Sequence, residues 1–176
     1  MRILTPEERH DFFTLYLEHR LTVVLAFVCR LPDTEFWQGN GDLFRSALEG
    51  SSTMLRVFIE FLGVRSKRRD SELFLVPYEA LGDDITIESF GVARLAPEAF
   101  GEHAQLIAIV HEGIKKGTVH LTWQSGHEYK SDEHFVQAVA VVLQKLYDHL
   151  YCPLGYDFHL HPDLEKRYRE WPRRLA

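Results

Sequence analysis

Apolar residues recur at three- and four-residue spacing in four stretches of the chain, and each stretch predicts an amphipathic helix. The first starts at Thr5-Pro6-Glu7-Glu8, where a capping hydroxyl, a proline at the first helical position and a glutamate three residues after the cap mark a helix start. It carries Phe13, Leu17, Leu21, Val24 and Val28 on one face and is expected to reach about Arg30, with Pro32 barring continuation. The second, from about Asp42 to Leu62, places Met54, Leu55, Phe58, Ile59 and Leu62 on one stripe and has Gly63 as a C-terminal cap. The third is expected from Pro97 to about Lys116, with Phe100, Ala104, Ile107, Val110 and Ile114 inward. The fourth is expected from Ser131 to about Tyr151, with Phe135, Val139, Val142, Leu143, Leu146 and Leu150 in register and Pro153 as its stop.

Helices that are apolar along one stripe only bury those stripes against one another, which predicts a mainly α protein: a four-to-five-helix up-and-down bundle. Between the second and third helices, residues 64–96 show no helical period, and so long a loop needs something to order it. Leu73-Phe74-Leu75-Val76 and Ile85-Thr86-Ile87 have the composition of strands, so a small hairpin or a long ordered loop is expected there. The bundle is expected to form a single domain over residues 1–153. Residues 154–176, aromatic and basic, read as a tail packed on the body or on a second subunit.

Composition adds bounds. The chain of 176 residues is 45% hydrophobic and 26% charged, the profile of a globular protein able to bury about 70% of its unfolded surface without disulfides. The apolar run Leu21–Cys29 is too short to span a bilayer, and no basic region precedes an apolar core and cleavage site near Met1. Cys29 and Cys152 are too few to suggest a disulfide framework. A cytoplasmic protein with no membrane partner is the expectation.

A formal charge of −6 argues against a surface that coats nucleic acid through its whole extent, because such binding rests on many Lys and Arg contacts to phosphate. Local basic patches stand apart from that average. Arg65, Lys67, Arg68 and Arg69 form one, a candidate site for an anionic partner, and Lys166, Arg167, Arg169, Arg173 and Arg174 form another.

Ten histidines in this length raise metal binding and acid–base chemistry. In an extended backbone, Asp157, His159, His161 and Asp163 share one side and Phe158 and Leu160 the other, so imidazole and carboxylate groups suited to zinc, iron or nickel stand together. The same pattern also describes the polar side of a docked tail, and no cofactor is expected, with a divalent metal as the alternative. His103 and His111, eight residues apart, would lie about 12 Å apart along one helix face, too far for one ion. They read as helix-border histidines hydrogen-bonded to neighbours. No Cys-x-x-Cys pair, phosphate-binding glycine loop, nucleophile elbow or His-Glu-x-x-His motif is present.

Three features carry a resemblance: the stretch Leu55-Arg56-Val57-Phe58-Ile59-Glu60-Phe61-Leu62, the turn Lys115-Lys116-Gly117-Thr118-Val119-His120 before the last long helix, and the following Leu121-Thr122. Over roughly Asp42 to Tyr151 the chain resembles the HEPN superfamily of helical bundles, and within it a group with a His-Leu-Thr turn. Ribonucleases of that superfamily pair an arginine with a histidine five to seven residues further on, commonly at a dimer interface. The resemblance places His120 at the histidine and Lys115 where the arginine would stand. Lysine is a point charge and cannot fork onto a phosphate, and no histidine in this chain has an arginine five to seven residues before it. The resemblance therefore implies a homodimeric, non-catalytic binding or interaction module for RNA, a nucleotide or a protein partner. A metal-dependent enzyme centred on His159 and His161 is the alternative.

Overall fold

In the computed structural model residues 2–82, 84–116, 132–158, 160 and 166 are described. The protein is mainly helical with one two-stranded hairpin, as the apolar periodicity predicts. Helix α1 runs over Pro6–Arg30, with a widened π-type stretch at Phe12–Leu17. The short helix α2 spans Thr34–Trp37 and α3 spans Gly41–Phe61. Strands β1 (Val64–Arg69) and β2 (Glu72–Pro77) follow, then 3-10 turns at Ile87–Phe90 and Pro97–His103. Helix α4 covers Ala104–Ile114 and α5 covers Asp132–Leu146, which continues through a π-type turn at Tyr147–Tyr151 into the short α6 (Cys152–Leu154).

The chain divides into two compact units, one of residues 1–4 and 55–156, the other of residues 5–54 and 157–176. In the second unit α1 opens with the expected reciprocal cap: the Thr5 N–H donates to Glu8 Oε2 at 2.9 Å and the Glu8 N–H to Thr5 Oγ1 at 3.3 Å. Phe13, Leu17, Leu21, Val24 and Val28 are all buried. By length and hydropathy α1 could cross a membrane, and 44% of that apolar stretch is buried in the protein. The indole N–H of Trp37 donates to the Arg30 carbonyl at 2.8 Å, tying α2 to the end of α1.

In the first unit the stripe Leu55, Phe58, Ile59 and Leu62 is fully buried, as are Ile107, Val139, Val142 and Leu146. The hairpin packs on α4, and α4 packs on α5. Gly63 follows the end of α3 with φ 104°, and a Cβ there would lie 2.6 Å from the Arg94 Cβ, so only glycine fits. Its neighbour Leu62 receives the Leu95 N–H at 2.9 Å.

Three local expectations change. Residues 97–103 form a 3-10 segment rather than the start of an α-helix, because Gly101 takes φ 52°, ψ −130° and breaks the helical ladder. Pro153 does not stop the last helix; it lies within the short α6 that continues the run, and Gly155 in a left-handed conformation ends it. Ile85-Thr86-Ile87 is not a strand, since Thr86 caps the turn at Ile87–Phe90 with a reciprocal bond to Ser89. The strand that pairs with residues 72–77 is instead the basic segment 64–69.

Candidate functional site

The hairpin is antiparallel, with Val64 opposite Pro77, Ser66 opposite Leu75, Lys67 opposite Phe74 and Arg69 opposite Glu72. Asp70 turns the chain with φ 56°, a left-handed conformation that its short polar side chain tolerates. Alternation along β1 sends Val64 (0% exposed) and Ser66 (5%) inward. Arg65, Lys67 and Arg69 share the outward face with Phe74 and Val76, both half-buried. Among the described residues, Arg65, Lys67 and Arg69 form no ion pair. The outward face therefore carries three cations around an aromatic ring, with the exposed Glu72 opposite Arg69 at its turn end. Arg68 lies on the inward side of the strand but past the body, and is exposed.

The inward face meets a polar network in the same unit. The Tyr78 N–H donates to the Gly63 carbonyl at 2.8 Å, so residues 63, 65, 67 and 69 bond to β2 while the N–H of Ser66 points to the open edge of β1. There it donates to His111 Nδ1 at 3.1 Å. His111 is 2% exposed on α4, and its Nε2 lies 3.2 Å from Glu60 Oε1. These partners assign the proton to Nε2, with Nδ1 the acceptor. The Ser66 hydroxyl lies 2.8 Å from Nδ1 and 2.9 Å from Glu112 Oε2. Arg56 Nε donates to Glu60 Oε1 at 2.8 Å, and Lys115 and Lys116 reach Glu112 at 3.4 and 3.5 Å.

Burial pushes the Glu60 carboxyl up, but hydrogen bonds from His111 and Arg56 and the Arg56 charge outweigh it and hold it below its ordinary value. Burial likewise raises Glu112, and the Ser66 hydrogen bond with the two lysine charges brings it below the usual range. Both acids are carboxylates at neutral pH. With Glu112 ionised, the Ser66 hydroxyl proton goes to Glu112. Nearby, Tyr78 is pushed up to about 12 by burial and by its hydrogen bond to the Asp84 carboxylate.

A serine, a histidine and a glutamate linked in that order are the parts of a nucleophile, its base and an orienting acid. Here they do other work. Ser66 and His111 are both buried, and Nδ1 already receives the Ser66 backbone N–H, so the imidazole closes the open strand edge and joins the hairpin to α3 and α4.

Lys115, the cation of the Lys115/His120 pair, holds Glu112 at the C-terminal end of α4; His120 lies outside the described residues, as do His159, His161 and Asp163. Asp157 is exposed, with Phe158 and Leu160 half-buried beside it. Among the described residues no group of three or more His, Cys, Asp or Glu side chains is arranged to hold a metal ion. His103, at the start of α4, is half-exposed and is not on the buried face that His111 occupies. Glu60, Ser66 and Glu112 carried no signal in the sequence. The one available clue was that the fully apolar stripe of the third helical stretch is interrupted by His111-Glu112 rather than flanked by it.

No family model, curated protein or solved structure matches this chain.

Proposed function

We propose that the protein is a non-catalytic RNA-binding module whose contact surface is the outward face of the β1–β2 ribbon. The observation that carries this reading is the placement of Arg65, Lys67 and Arg69 on one face around Phe74, with no ion pair among the described residues. Cations track a phosphate backbone, and an aromatic ring offers a stacking surface for an unpaired base. The buried network behind the ribbon holds that face in place through Ser66, so the cations approach an RNA from a fixed strand. A net charge of −6 leaves the attraction to local basic patches such as this one and disfavours indiscriminate coating of nucleic acid. The likeness to HEPN bundles adds a homodimer, and the two cysteines, both free thiols, accord with a cytoplasmic setting.

The test is fluorescence anisotropy with labelled single-stranded RNA at low and moderate salt, in the presence of chelator. Three phosphate contacts give a salt slope of roughly −2 for a single strand, and the triple variant Arg65→Glu, Lys67→Glu, Arg69→Glu should weaken binding by about ten-fold or more while the RNA stays intact. Binding that the triple variant leaves unchanged, or chelator-resistant cleavage of the RNA, would refute the reading.

A further inference from the structure

The unit formed by residues 5–54 and 157–176 contains a cavity of about 320 Å³ along the groove between α1 and α3, closed at one end by α2. The two long helices come close at Gly50, where an added Cβ would lie 3.6 Å from Val23 Cγ1. Beyond that point Ala26 on α1 and Ala47 on α3 are too small to fill the space between them. The aromatic end is held firmly. Trp37 is fixed by its indole bond to the Arg30 carbonyl, and its ring stands edge-on to Phe44 at 5.2 Å and 88° and to Phe36 at 4.7 Å and 82°.

Two features set this cavity apart from a gap in a core. Its lining includes side chains that face water, Leu43 at 50% and Phe36 at 36% exposure, so apolar surface is left open where a globular protein usually covers it. Among the described residues its lining also includes a single cation. The Arg30 guanidinium sits 4.4 Å over the Phe36 ring and has no acidic partner among the described residues. Stacking on Phe36 occupies one face of the guanidinium and leaves its in-plane N–H fork open to a planar, bidentate acceptor.

The geometry points to a binding site for a short-chain amphipathic carboxylate, with the apolar body between α1 and α3 and the carboxylate on Arg30. The volume lies at the lower end of the ~300–1,000 Å³ range of small-molecule sites, which suits a short alkyl or small aromatic body and excludes a long acyl chain. One cation matches one negative charge. A dianionic phosphate would carry more charge into an apolar rim than Arg30 alone can offset. The negative dipole end of α1 favours Arg30 at that rim and opposes a bound anion, so the carboxylate depends on the guanidinium itself.

Isothermal titration with octanoate, octanol, octylammonium and octyl phosphate tests this on the unmodified protein. Octanoate should bind about ten-fold or more tighter than the other three, in line with a charge-assisted bidentate pair. Arg30→Gln should bring octanoate down to the level of octanol and leave octanol unchanged. Ala47→Phe, which fills the cavity at a half-buried position, should abolish both. Equal affinity for octanoate and octanol, tighter binding of octyl phosphate, or octanoate binding that survives Ala47→Phe would overturn the assignment. So would a self-associated protein that Ala47→Phe dissociates without any heat from octanoate, since the groove would then belong to a second copy of the chain.

Discussion

Replacing His111 by leucine keeps a side chain of similar bulk at the centre of the first unit and removes every hydrogen bond that the imidazole makes. Ser66 N–H then points from the open edge of β1 into an apolar side chain, with its former acceptor at 3.1 Å gone. A buried N–H left unpaired costs about 1–3 kcal/mol. Glu60 loses its 3.2 Å contact but keeps Arg56 at 2.8 Å and remains 18% exposed, so its loss is smaller, about 0.5–1.5 kcal/mol. The Ser66 hydroxyl retains Glu112. The sum is a destabilisation of roughly 2–4 kcal/mol, a fall in Tm of about 5–15 °C for a chain of this length. Urea unfolding followed by circular dichroism measures it, with Ser66→Ala as the comparison: that variant keeps the backbone N–H bond and loses only the hydroxyl, and should cost less. A His111→Leu protein within about 0.5 kcal/mol of the parent would show that the imidazole does not brace the strand edge and that the network is a surface arrangement.

The pH dependence follows from Glu60 and Glu112, whose folded carboxyls lie below their ordinary value of 4.5. Their stabilisation is fully present above the unfolded value and is lost as pH falls through the lower folded values, so an acid titration of Tm should decline below about pH 4.5, and Glu112→Gln should flatten that decline; an unchanged acid limb would remove Glu112 from the account. Phe58, fully buried on α3, should cost on the order of 2–5 kcal/mol when cut to alanine, and a melting temperature that does not move would mean that the apolar stripe of α3 is misplaced.

The long helices were legible in the sequence because the signals that form them are local. Thr5, Pro6 and Glu8 cap α1 within four residues of one another, and the stripes Phe13 to Val28 and Leu55 to Leu62 repeat at the helical period whatever they pack against. Gly63 after α3 was likewise readable, since a left-handed residue there favours glycine before any partner is known. The hairpin was half legible: Leu73 to Val76 has strand composition, but Arg65 to Arg69 reads as a charged run, and only pairing with β2 reveals that its inward positions are Val64 and Ser66.

The network at His111 was decided by tertiary structure alone. Ser66 lies 45 residues from His111, and Glu60 lies 51 away, so no spacing rule connects them, and each residue type is ordinary in its own segment. The hairpin brings the Ser66 N–H to the edge of β1, α4 brings the imidazole, and the end of α3 brings the carboxylate. The same holds for the groove beside Trp37. Ala26 and Ala47 look like unremarkable helix residues until α1 and α3 lie side by side, and Arg30 looks like a C-terminal helix charge until Phe36 is folded under it. Periodicity along a chain records which face of an element is buried, because that needs only the chain's own geometry. Which polar groups meet across elements depends on loop paths and crossing distances, which no local pattern encodes.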